Sequence, residues 1–171
     1  MSGPEFHRPV DRRRIAAAPL TIEADAAERA ALAGRFGLVA IRHLSATLLL
    51  SCHKDVVTAR GRLSASIVQS CAVSGEDLPV TIEEPIQLRF VPEAALPEAD
   101  ELEIDAEQCD EIGYSGHTID LGEAVAQSLA LAIDPYACGP DAERVRREQG
   151  ITDRAASGAF AALAALKREP D

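Results

Sequence analysis

Aromatic residues are scarce in this chain. It has no tryptophan, and only four phenylalanines and two tyrosines among 171 residues. Leu, Ile, Val and Ala must therefore fill the core. No run of eighteen apolar residues occurs, which argues against a membrane-spanning helix. The first fourteen residues carry Arg8, Arg12, Arg13 and Arg14 with no apolar stretch behind them, unlike a secretory signal. The cytoplasm is the expected compartment. None of the four cysteines, Cys52, Cys71, Cys109 and Cys138, forms a CxxC pair or falls at zinc-finger spacing. They read as reduced, mostly buried thiols, with Cys71 a small core residue. GxGxxG, GxxxxGK[ST] and HExxH are all missing, so nothing points to a dinucleotide, a nucleotide phosphate or a catalytic zinc.

What is present is an ordinary globular composition, 47% apolar and 26% charged, long enough for one domain spanning residues 1–171. The net charge of -11 is segregated. Residues 76–123 hold 15 acids against one base, Arg89, whereas the remaining residues hold 13 acids and 16 bases. A face of that sign repels phosphate backbones and suits a basic protein partner. The alternative is an acidic stretch that only aids solubility. The arginine cluster Arg12, Arg13 and Arg14 could touch phosphate, or pair with the protein's own acids.

Hydrophobic periodicity places the elements. Phe6–Val10 reads as a short edge strand. Thr21 is an expected N-cap for a helix over 24–35, ended by Gly34 or Gly37, with Ala27, Ala31 and Phe36 facing a sheet. Leu44, Ala46, Leu48 and Leu50 alternate with Ser45, Thr47, Leu49 and Ser51 in a strand. His53-Lys54-Asp55 turns it back into a second strand from Val56, with a bulge or bend at Gly61. That strand runs on through Ala65, Ile67 and Gln69 toward Cys71. Ser74-Gly75-Glu76-Asp77 is a turn, and Ile86, Leu88 and Phe90 mark the returning arm. Residues 92–111 form an acidic loop containing Glu98, Asp100, Glu101 and Glu103. A short strand pair is expected around Gly113. Asp120 and Glu123 have capping-box spacing, and Leu121, Ala124, Val125, Ser128, Leu129, Ala132 and Ile133 form one face of a helix ending before Pro135. A tail over 151–171 carries Phe160, Leu163 and Leu166, suited to a short docking helix. The expected fold is α+β: an antiparallel, curved or barrel-like sheet of about five to seven strands with two or three packed helices.

The ordered set Val68-Gln-Ser-Cys71, Ile86-Gln-Leu-Arg-Phe90-Val-Pro92, an acidic loop, Ile119-Asp120-Leu121, Leu129-Ala-Leu-Ala-Ile133-Asp-Pro-Tyr136 and Phe160-Ala-Ala-Leu163-Ala-Ala-Leu166-Lys167 resembles the YceD family. The match covers most of the chain and is weak over residues 1–40. Many relatives have Cys-x-x-Cys where this chain has Cys71 and Ser74, so no metal site is carried over. Gln127 stands where relatives often have an acid, and Gly158-Ala159 where Asn-Pro is common. The resemblance implies a role in large-subunit ribosomal RNA accumulation or processing, without a catalytic reaction or a cofactor. Three functions of different class follow. One is an assembly factor that binds a ribosomal protein or another assembly factor through its acidic face, affecting rRNA indirectly. Another is an RNA-binding module using Arg8, Arg12 to Arg14, Arg144, Arg146 and Arg147. The least favoured is a hydrolase around Ser115, His117 and Asp120.

Overall fold

The computed structural model describes residues 5–93 and 111–150. The chain divides into two units, Met1–Gln69 with Pro79–Asp134, and Ser70–Leu78 with Pro135–Asp171. The first unit is organised by two long strands, β3 (Ala40–His53) and β4 (Val56–Ser70). Strict alternation buries Leu44, Ala46, Leu48 and Leu50 on one face of β3 and Val57, Ala59, Leu63, Ala65 and Ile67 on the matching face of β4. The tight turn between them is made by Lys54 and Asp55, both at positive φ. The two strands pair antiparallel almost end to end.

Around them the sheet has the order β2-β3-β4-β5-β6, with β2 at Leu20–Glu23, β5 at Asp77–Pro92 and β6 at Glu111–Tyr114. A separate two-stranded sheet joins β1 (Pro9–Asp11) to β7 (Thr118–Asp120). The fold is thus α+β, as expected, but the main sheet is mixed, because β6 runs parallel to β5. Among the described residues it is open, with β2 and β6 at its edges, and not closed into a barrel. Among its described residues this unit has two α-helices, α1 (Ala26–Phe36) and α2 (Leu121–Ala132). Leu32 of α1 and Leu121, Val125 and Leu129 of α2 join the core with Phe6, Phe90 and the inward residues of the sheet.

Several local expectations are corrected. The α1 cap is Asp25, whose carboxylate accepts from Glu28 N while Glu28 reaches back to Asp25 N. Thr21 lies instead in β2, paired with Thr47. Leu32 and Ala33 are the residues of α1 that turn inward, and Ala27 and Ala31 stay exposed. Gly37, at φ +66, closes the helix. The β3–β4 irregularity falls between Ile41 and His43, whereas Gly61 pairs in register with Leu48. Glycine is required there for another reason: an added Cβ would stand 1.9 Å from the Thr47 carbonyl oxygen. The strand near the N-terminus starts at Pro9, and the strands flanking Gly116 pair with different partners rather than each other.

The second unit consists, over its described residues, of the turn 70–78, the segment from Pro135 and α3 (Ala142–Glu148). Cys71 closes the turn twice, its N–H donating to Glu76 O and its carbonyl accepting from Gly75 N. Gly75 takes φ +74 there.

Candidate functional site

Two groupings of functional side chains arise. The first is a set of charge pairs around Asp120. Its position at the start of α2 makes its carboxylate the acceptor for Gly122 N at 3.0 Å and Glu123 N at 3.3 Å. The same group accepts from Arg8 N at 2.9 Å and contacts His7 Nδ1 at 2.5 Å. Burial pushes the Asp120 pKa up, but the bonds from Arg8, His7 and Glu123 outweigh it and leave it lowered. Glu123 does not complete a capping box; Arg35 grips it with two bonds of 2.9 Å and holds its pKa down. Arg8 makes a two-pronged pair with Glu28 at 2.6 and 2.8 Å. Arg12 pairs with Asp55. Arg13 bonds Asp11 through its backbone and its guanidinium, which sets Asp11 well below the usual carboxylate range. In the other unit, and apart from this set, Arg144 contacts Asp141 and Glu148, and Arg146 contacts Glu143.

The second grouping surrounds Cys71 in the other unit. Its buried sulfur accepts three backbone N–H groups, from Val73 at 3.5 Å, Ser74 at 3.3 Å and Gly139 at 3.3 Å. The Ser74 side chain, then the amides of Ser74, Gly139 and Val73, draw the thiol down to about 6. The Ser74 hydroxyl has one proton and also lies 3.1 Å from a Glu76 oxygen, so the three amides are the constant donors. A convergence of partial positive charge favours the thiolate. Cys138, exposed, immediately precedes Gly139; its thiol donates to Tyr136 O at 3.2 Å and accepts from Arg146 at 3.7 Å. The sequence reading missed this environment. The Ser-Gly turn after Cys71 was legible, but Gly139 lies 68 residues away.

The remaining site expectations fall as follows. Phe90 and Leu121 are core residues. Glu98, Asp100, Glu101, Glu103 and Phe160 lie outside the described residues. Ser115, His117 and Asp120 are not brought into one relay: Ser115 donates to Glu93, His117 lies against Arg12, and Asp120 holds His7. Among the described residues, no three His, Cys, Asp or Glu side chains are grouped to hold a metal ion. Nor is any helix there long and apolar enough to cross a membrane.

The first unit is a mixed α+β module whose arginines largely close on its own acids, and the second carries a buried cysteine ringed by amide donors. The family described as "Large ribosomal RNA subunit accumulation protein YceD" matches residues 59–167, and the chain belongs to it. The matched span runs from within β4 to the tail and includes Cys71, Asp120 and the acidic segment. No curated protein and no solved structure matches the chain. Membership links the protein to accumulation of the large-subunit ribosomal RNA.

Proposed function

We propose that the protein is a non-catalytic assembly factor of the large ribosomal subunit, acting in the cytoplasm, that engages a basic ribosomal protein or assembly factor through its acidic face and affects rRNA indirectly. One observation carries this choice over direct RNA binding. Arg8, Arg12, Arg13, Arg144 and Arg146, five of the seven arginines suited to phosphate, lie against the protein's own carboxylates. Each would have to leave its acid before meeting a phosphate, a cost that offsets part of the electrostatic gain of RNA binding. The acids of residues 94–110, seven with no base among them, have no such cations within their own segment. An excess of that sign steers a positively charged partner into contact.

The test is affinity purification of the tagged full chain from cells, with large-subunit precursors expected in the eluate. The variant E98Q/D100N/E101Q/E103Q should lower recovery of the co-purifying protein several-fold. Undiminished recovery would remove the acidic segment as the docking surface. Purified chain and rRNA fragments should show no steeply salt-dependent binding; a tight complex weakening by orders of magnitude with salt would favour the arginines instead.

A further inference from the structure

We propose that Cys138 and Cys71 form a thiol-modification site, in which a hydroperoxide oxidises Cys138 and Cys71 resolves it as an intramolecular disulfide. The argument starts from position. Gly139 N donates to Cys71 Sγ at 3.3 Å. In a trans peptide the amide hydrogen lies on the same side as the preceding Cα, so the Cys138 Cα stands about 4 Å from the Cys71 sulfur. In a disulfide each Cα lies about 3–4.5 Å from the other cysteine's sulfur, so rotation of the Cys138 side chain away from Tyr136 O is enough to bring the two sulfurs together. Both cysteines and all their hydrogen-bond partners belong to the same unit of the chain.

The two sulfurs are suited to different steps. Cys138 is exposed and sits beside the Arg146 guanidinium, where a small oxidant can reach it. Cys71 is buried and ringed by amide donors, which shelter it from solvent yet favour the charged, nucleophilic form. In the first step the peroxide O–O bond breaks, an S–O bond forms on Cys138, and water leaves, giving a sulfenic acid. In the second, the Cys71 thiolate attacks that sulfur, the S–S bond forms, the S–O bond breaks and hydroxide leaves. Two thiols and one hydroperoxide become one disulfide and two molecules of water, when the oxidant is hydrogen peroxide. A cellular thiol reductant reverses the change.

The experiment treats the reduced full chain with hydrogen peroxide, caps free thiols with N-ethylmaleimide and maps the peptides by mass spectrometry. Two of the four cysteines should be lost to capping, with a peptide pair joining Cys71 to Cys138 that dithiothreitol releases. Cys138→Ser, a change at an exposed position, should abolish that pair and leave Cys71 available to the cap after denaturation. Cys52→Ser should leave the pair intact. A pair joining any other two cysteines, or a Cys138 carried on to the sulfinic acid while Cys71 stays free, would overturn the proposal.

Discussion

At the scale of single residues, Cys71 and Asp120 are anions held by backbone N–H groups, and each makes a measurable prediction. The folded thiol of Cys71, drawn down to about 6, lies below an unfolded thiol near ~8.5. Deprotonation therefore favours the folded state. The contribution is complete above the unfolded value and is lost as the pH falls through about 6. Ultraviolet absorbance of the thiolate should rise with a midpoint near 6, and this phase should vanish in Cys71→Ala. A single midpoint above 8 would mean that the amides do not stabilise the anion. Asp120→Ala removes the α2 cap together with the bond to Arg8 N. Urea unfolding should show a loss of about 2 kcal/mol. A loss below about 0.5 kcal/mol would mean that water replaces the carboxylate at little cost.

At the scale of elements, one substitution should act with opposite sign at two glycines. In Gly61→Ala the new methyl would meet the backbone of Thr47 and Leu48, which are fixed in the β3–β4 ladder and cannot give way cheaply. A destabilisation of about 1–3 kcal/mol is expected. Gly34, inside α1, has nothing within 4 Å of an added Cβ, so Gly34→Ala should stabilise by roughly 0.5–1 kcal/mol. Thermal melts of the two variants beside the parent check both signs. The long strands were legible because alternation is a local property that survives over fourteen and fifteen residues. Threonine caps well in isolation, which points to Thr21 as the helix cap, but pairing with Thr47 captures it for β2. Tertiary pairing overrode the local signal there.

At the scale of the whole molecule, several arginines close on the chain's own acids, while residues 94–110 hold acids alone. Exposed pairs of this kind contribute little stability, about 0–1 kcal/mol each, so their main consequence is electrostatic. They lower the positive potential that five of the seven arginines would otherwise offer to a phosphate. Substituting Glu28→Gln and Asp11→Asn together should release Arg8 and Arg13 and raise any residual affinity for RNA in a filter-binding assay at low salt. No change would indicate that these guanidiniums stay shielded by the rest of the acidic surface.

Period, turn chemistry and cap spacing act between near neighbours along the chain, so residue order alone was enough for the β3–β4 hairpin, the Gly75 turn, the start of α2 at Asp120 and the family likeness. Strand order, the parallel seating of β6 and the donors around Cys71 depend on groups far apart in the chain. No local rule indicates that Arg8 will meet Glu28 or that Gly139 will meet Cys71; those meetings are settled when the backbone closes on itself and polar groups withdrawn from water take partners from distant segments.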